Sequence, residues 1–122
     1  MDNEKNEILS LSFAFAIRIV KLNRFLTEQK SEFVLSKQLL RSGTSIGANV
    51  NEAQEAQSKK DFIAKMSIAL KEARESRYWI QLLYETGYLP KNHTKVGTLM
   101  SEIESIIKIL SAIVLSSKAS LK

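Results

Sequence analysis

Apolar residues recur at steps of three and four along almost the whole chain, and a single proline interrupts them. Ile8, Leu11, Phe15, Ile19, Leu22 and Leu26 form one such stripe, and Leu9, Phe13, Ile17 and Val20 form a second beside it. A step of three to four is the period of a helix, not of a strand, and two adjacent stripes make a face wider than a simple two-helix seam. A first helix is expected over about Asn3 to Gln29. Ser31 stands as an N-cap before a second helix ending near Gln57, and Ser58 as the cap of a third, with Phe62, Met66, Ala69, Ala73, Ile80 and Tyr84 on one side. Gly87 fits the stop of that helix, and Pro90 follows it. Asn92 or Thr94 can cap a fourth helix carrying Val96, Leu99, Ile103, Ile106, Ile107, Leu110 and Val114. Residues 116–122 have the polar composition of a frayed tail. Three of these helices approach about 27 residues, or about 40 Å at 1.5 Å per residue. Long helices with short joints pack as antiparallel neighbours. The expected fold is all-α, one domain over residues 1–122, an antiparallel up-down-up-down four-helix bundle.

Composition narrows the function classes. The chain has 122 residues, long enough for a core without staples, and contains no cysteine, so disulfides and thiolate metal sites are excluded. Its longest uncharged stretches, Ile8 to Ile17 and Ser42 to Asn51, fall well short of the roughly 20 apolar residues of a membrane span. The start, Met1-Asp2-Asn3-Glu4, is acidic where a secretory leader would be basic, so a cytoplasmic location without membrane contact is expected. The one histidine, His93, lies in the joint before the fourth helix, which excludes the paired Glu-x-x-His ligands of di-metal bundles. No metal or cofactor is expected. Net charge is +5, a modest bias toward anionic partners.

The segment Arg41-Ser42-Gly43-Thr44-Ser45-Ile46-Gly47-Ala48-Asn49-Val50-Asn51-Glu52 departs from the bundle pattern. Small and polar residues stand where leucine would be ordinary, while Leu35, Leu39, Ile46, Val50 and Ala53 keep the helical period. Gly43 and Gly47, four apart, predict a close backbone approach between helices. Ser42, Thr44 and Ser45 lack a histidine or buried lysine in sequence reach and make poor nucleophiles. Asn49 and Glu52 share a face with Ser45, and Glu72 and Glu75 repeat the three-residue spacing on the third helix. These residues fit either a paired-carboxylate acid/base site or a buried polar network neutralised by Arg41 and by Arg74 or Arg77. The network is expected: no catalytic residue is assigned, and Glu52→Gln should cost stability or assembly. For nucleic acid, the residues to examine are Arg18, Lys21 and Arg24 on the first helix and Lys59, Lys60 and Lys65 on the third. Lys59 and Lys60 gain nothing from a helix start, where the dipole disfavours cations. Tyr78 and Trp79 can stack on bases, but on a long amphipathic helix they fit core or subunit contact better.

The motif Arg41-Ser42-x-x-Ser45-Ile46-x-x-Asn49-Val50-x-Glu52-Ala53 is followed by Lys60-Asp61-Phe62-x-x-Lys65-x-Ser67-Ile68-Ala69-x-Lys71-Glu72-Ala73-x-Glu75-x-x-Tyr78-Trp79 and by Leu82-Leu83-x-x-x-Gly87-Tyr88-Leu89. Together they resemble the four-helix-bundle proteins of the 23S rRNA intervening-sequence family over most of the chain. The resemblance implies a ring-shaped homopentamer with a basic surface. It also implies kinship with the accessory protein of diversity-generating retroelements, a similar bundle that works with nucleic acid. It brings no catalytic residues. Arg41, Ser45, Asn49, Glu52 and Glu72 carry the signature, and Lys71-Glu72 replaces a smaller Gly-Ser pair of many members. An RNA-binding oligomeric adaptor is the expected function, with a scaffold for a genetically linked protein partner as the alternative.

Overall fold

The computed structural model describes residues 2–90 and 94–121. Four helices occupy nearly all of them: α1 (Asp2–Gln29), α2 (Leu35–Gln54), α3 (Lys59–Glu85) and α4 (Thr94–Ala119). Among the described residues there is no strand. Each helix packs on the two beside it, α1 and α4 close the ring, and neither diagonal pair approaches backbone to backbone.

Residue numbers run in opposite directions across each seam that side chains report. Gly43 and Gly47 of α2 face Ile19 and Ser12 of α1. Arg41 pairs with Glu75 and Glu52 with Lys65 between α2 and α3. Glu7 shares a groove with Lys108 and Ile109 of α4, whereas Arg18 and Leu22 share one with Val96 and Leu99. Adjacent helices are therefore antiparallel, as the short joints require.

The core is one cluster. Ile8, Phe15, Ile19 and Leu26 meet Leu39, Ile46 and Val50 from α2, Met66, Ile80 and Leu83 from α3, and Leu99, Ile103 and Leu110 from α4. Of the first stripe of α1, Ile8, Phe15, Ile19 and Leu26 are buried, and Leu11 and Leu22 are half-buried against the core. Along the second, Leu9 and Val20 are half-buried and Phe13 and Ile17 are exposed.

Three joints explain the helix ends. Ser58 accepts from the Asp61 backbone N–H at 3.0 Å and the Asp61 carboxylate accepts from Gln57 N–H at 3.4 Å, so the expected cap of α3 is in place. With Ser58 as cap, α2 ends at Gln54 rather than near Gln57. Gly87, at φ +87°, closes α3: its N–H donates to the Tyr84 carbonyl at 3.2 Å, and Tyr88 N–H to Leu83 at 3.0 Å. This is the paired bonding of a left-handed C-terminal cap, which favours glycine.

The joint before α2 corrects the expectation at Ser31, which does not cap that helix. It adopts φ +52°, and Glu32 takes the capping role. The Glu32 carboxylate accepts backbone N–H groups from Val34 at 3.3 Å, Leu35 at 3.0 Å and Ser36 at 2.7 Å. The Ser36 hydroxyl donates back to the Glu32 carbonyl at 2.7 Å. Three otherwise unpaired donors of the first turn are satisfied by one buried carboxylate.

The expected tail also differs. α4 continues to Ala119 because Ser117 extends the buried stripe of Leu110, Ile113 and Val114 by one further step, so packing overrides its polar composition. Asn92 and His93 lie outside the described residues.

Candidate functional site

The small residues of α2 have distinct uses. A Cβ at Gly43 would lie 2.9 Å from both Cγ atoms of Ile19, and one at Gly47 would lie 3.4 Å from the Ser12 carbonyl. Two glycines one turn apart thus let α1 press against the α2 backbone. On the next face, the buried Ser42 and Ser76 hydroxyls lie 2.9 Å apart in a hydrogen bond, and Ser76 Oγ lies 2.8 Å from the Glu72 carbonyl of its own helix, an alternative acceptor for its one proton.

Above this serine pair lies a charged cluster on the α2–α3 seam. The Arg41 guanidinium bonds Glu72 at 3.1 Å with one nitrogen and Glu75 with the other. The Trp79 indole N–H donates to the same Glu75 oxygen at 3.0 Å. The Trp79 hydrogen bond holds the Glu75 carboxyl below its ordinary range; burial opposes this, and Arg41 adds to it. The bond to Glu75 raises the Arg41 guanidinium in turn, against burial. A carboxylate held below its ordinary range stays ionised at neutral pH and makes a poor general acid or base. Arg41 and the two carboxylates tie α2 to α3 across their seam.

The remaining signature residues sit apart from it. Asn49 donates to the Ser45 carbonyl at 2.9 Å and hydroxyl at 3.1 Å within its own helix. Glu52 does not join a buried network, contrary to expectation. Its side chain is 61% exposed, with Lys65 Nζ at 4.0 Å. Three-residue spacing puts Asn49 and Glu52 on one face, but Ile46 and Val50 take the core, which leaves Glu52 in water. Of the other expected cations, Arg77 pairs with Glu104 of α4 at 3.4 Å, and Arg74 is exposed. Sequence reasoning missed Ser76, the Trp79 indole and Glu32. Ser76, four residues after Glu72 on the buried stripe, was the one with a visible signal.

The six basic candidates divide as well. Arg18 is ion-paired with Glu102 of α4, and Lys65 lies beside Glu52. Lys21, Arg24, Lys59 and Lys60 are exposed, and among the described residues none has a carboxylate within ion-pair distance. They do not form one patch on a single chain. Glu52 is level with Lys65, and α2 and α1 run antiparallel, so Lys59 lies at the end where α1 begins. Lys21 is about 30 Å away along the bundle axis at 1.5 Å per residue.

Apolar side chains are exposed at several places on the surface, Phe25, Ile68, Leu115 and Leu121 among them. Phe13 (64% exposed) and Ile17 lie on α1 within its uncharged stretch. Tyr78 is exposed on α3, its ring edge-on to Trp79 with centroids 5.1 Å apart. Phe33 and Val34 stand at the α1–α2 joint. Among the described residues, no group of acidic side chains and histidines could hold a metal, and no helix is long and apolar enough to cross a membrane.

The molecule is an all-α four-helix bundle whose seams are braced by hydrogen bonds and ion pairs, with exposed cations at both of its ends. The chain belongs to the 23S rRNA-intervening sequence protein family, whose family model matches residues 4–112. It is similar to a crystal structure of a protein of unknown function from the S23 ribosomal protein family of Bacteroides thetaiotaomicron VPI-5482. The two share 47% identity over 91% of this chain and 97% of that one, with a TM-score of 0.86. No curated protein matches the chain.

Proposed function

We propose that this protein is a non-enzymatic, homo-oligomeric adaptor that binds structured RNA through exposed basic side chains. The observation that carries the proposal is the set Lys21, Arg24, Lys59 and Lys60, four exposed cations with no carboxylate within ion-pair distance among the described residues. The family name, which ties these proteins to an insertion in ribosomal RNA, supports it.

Assembly gives the two separated clusters a common purpose. One chain carries a net charge of +5, and five copies, the number the family resemblance implies, would carry about +25. Phe13 and Ile17, on an α1 face without charge from Ile8 to Ile17, supply an apolar contact for a neighbouring copy.

The test is binding of a structured RNA as a function of salt. Affinity should fall steeply as salt rises. Charge reversal at Lys21, Arg24, Lys59 and Lys60 should weaken binding and flatten the slope by about one unit for each phosphate no longer neutralised. RNA binding that ignores both salt and the four reversals would refute the basic-surface proposal, and no RNA binding even at low salt would favour the protein-scaffold alternative.

A further inference from the structure

We infer that the α1–α2 end of the bundle is a stacking platform for unpaired bases of RNA, with Phe33 and Phe25 as the stacking rings and Lys21, Arg24, Lys30 and Lys37 as the phosphate contacts. The inference rests on the RNA-binding proposal and adds a location and a class of RNA to it.

Phe33 is 62% exposed and Val34 is 70% exposed, adjacent in sequence at the tip of the joint. Phe25 is exposed one turn before the end of α1, with Lys30 Nζ 5.8 Å from its ring centroid. Lys21, Arg24, Lys30 and Lys37 are all exposed at this end of the molecule. Glu28 and Glu85 are the exposed carboxylates there; Glu32 is buried and spent on the first turn of α2. Because that carboxylate already fills the helix start, phosphates must be met by the surrounding cations.

The joint is built to hold its apolar residues in water. Glu32 N–H donates to the Leu26 carbonyl at 2.9 Å, three N–H groups converge on the Glu32 carboxylate, and Ser36 closes the loop. A fixed joint presents Phe33 without an ordering cost on binding. Aromatic faces among cations match what single-stranded RNA offers: a π-face on every base and a phosphate between bases.

A second copy of the chain fits this surface poorly, because packing on it would bury the exposed Lys21, Arg24, Lys30 and Lys37 in a protein contact. Interface cores are depleted in lysine. The uncharged α1 face at Phe13 and Ile17 suits a copy better.

The experiment is fluorescence anisotropy at low salt with two labelled probes, an unstructured RNA of about 12 nucleotides, within the range one such surface spans, and a blunt RNA duplex of equal length. They are measured against the full chain and the variants Phe33→Ala, Phe33→Tyr and Phe25→Ala. Phe33 is outside the core, so the variants should fold, and circular dichroism checks this. The expected result is a roughly ten-fold or greater loss for single-stranded RNA in Phe33→Ala, with retention in Phe33→Tyr and little change for the duplex. Equal binding of both probes by wild type and Phe33→Ala would overturn the stacking platform and leave the RNA-binding proposal standing. Absence of binding to either probe would remove both. Loss of oligomer, or of binding to phosphatidylglycerol vesicles, in Phe33→Ala without loss of RNA would also overturn the inference.

Discussion

Replacing Gly43 by alanine should destabilise the protein, whereas the same change at Gly47, four residues along the same helix, should not. Both glycines lie inside α2, so both changes gain about 1 kcal/mol of helix propensity. The surroundings differ. At Gly43 the new methyl would lie 2.9 Å from Cγ1 and Cγ2 of Ile19 and 3.3 Å from its Cβ. Ile19 is fully buried and β-branched, so its near atoms cannot swing aside as the tip of a flexible side chain could. Overpacking of this kind costs about 1–3 kcal/mol. At Gly47 the nearest atom, the Ser12 carbonyl oxygen, is 3.4 Å away, which is an ordinary contact. Propensity cancels between the two variants, so Gly43→Ala should be less stable than Gly47→Ala by the steric term, about 1–3 kcal/mol. Urea unfolding followed by circular dichroism at fixed protomer concentration measures the difference as a midpoint shift at constant slope. A double-mutant cycle isolates its origin. Ile19→Ala removes both Cγ atoms and should make Gly43→Ala tolerable, giving a favourable coupling of about 1 kcal/mol or more. Equal stability of the two glycine variants, or no coupling to Ile19, would refute the close approach of α1 to α2.

Ser76→Ala should cost about 1–2 kcal/mol by leaving the buried Ser42 hydroxyl with only the Leu39 carbonyl at 3.5 Å; Ser42→Ala with Ser76→Ala should cost less than the two separate changes combined, measured by the same unfolding assay. For Glu32, burial pushes the carboxyl up, but hydrogen bonds from Ser36, Leu35 and Val34 outweigh it, and the net shift is below the ordinary value of 4.5. Its contribution is therefore complete above that value and lost as pH falls through the lower folded value, so the stability gap between wild type and Glu32→Gln should close on acidification, with the opposite trend refuting the cap. If the proposed homo-oligomer forms through the exposed α1 face, Phe13→Glu should lower the mass seen by light scattering while leaving the helical spectrum unchanged. Glu52→Gln should change stability by less than about 0.5 kcal/mol, since Glu52 is exposed, whereas Glu72→Gln should cost clearly more in the same unfolding measurement.

The helices were legible because their signals are local. The steps of three and four in α1, Ser58 ahead of Asp61 and Gly87 ahead of Pro90 each act within a few residues, and each is in place. The cap of α2 was not legible for a related reason: sequence signals favour short side chains such as Ser31, and Glu32 instead uses its longer reach to collect donors from three successive residues. Spacing placed Asn49 and Glu52 on one face without saying which face the core would take; Ile46 and Val50 decided that. The Arg41–Glu72–Glu75 cluster was legible as charge complementarity between two helices, but the Trp79 indole that completes it was not, because its N–H could as well have faced solvent. The separation of Lys21 from Lys59 follows from the antiparallel stacking that the short joints imply: α1 and α3 run the same way, with Lys21 in the later part of α1 and Lys59 at the start of α3.

RNA binding by this bundle is tested most directly in the native, untagged protein, isolated from its own cells at low salt. Nuclease-sensitive absorbance and sequencing then identify whatever nucleic acid remains bound. The expected result is RNA that survives low-salt washing and is released as salt is raised. Protein recovered free of RNA at every salt concentration, in stoichiometric complex with another protein, would contradict the proposal.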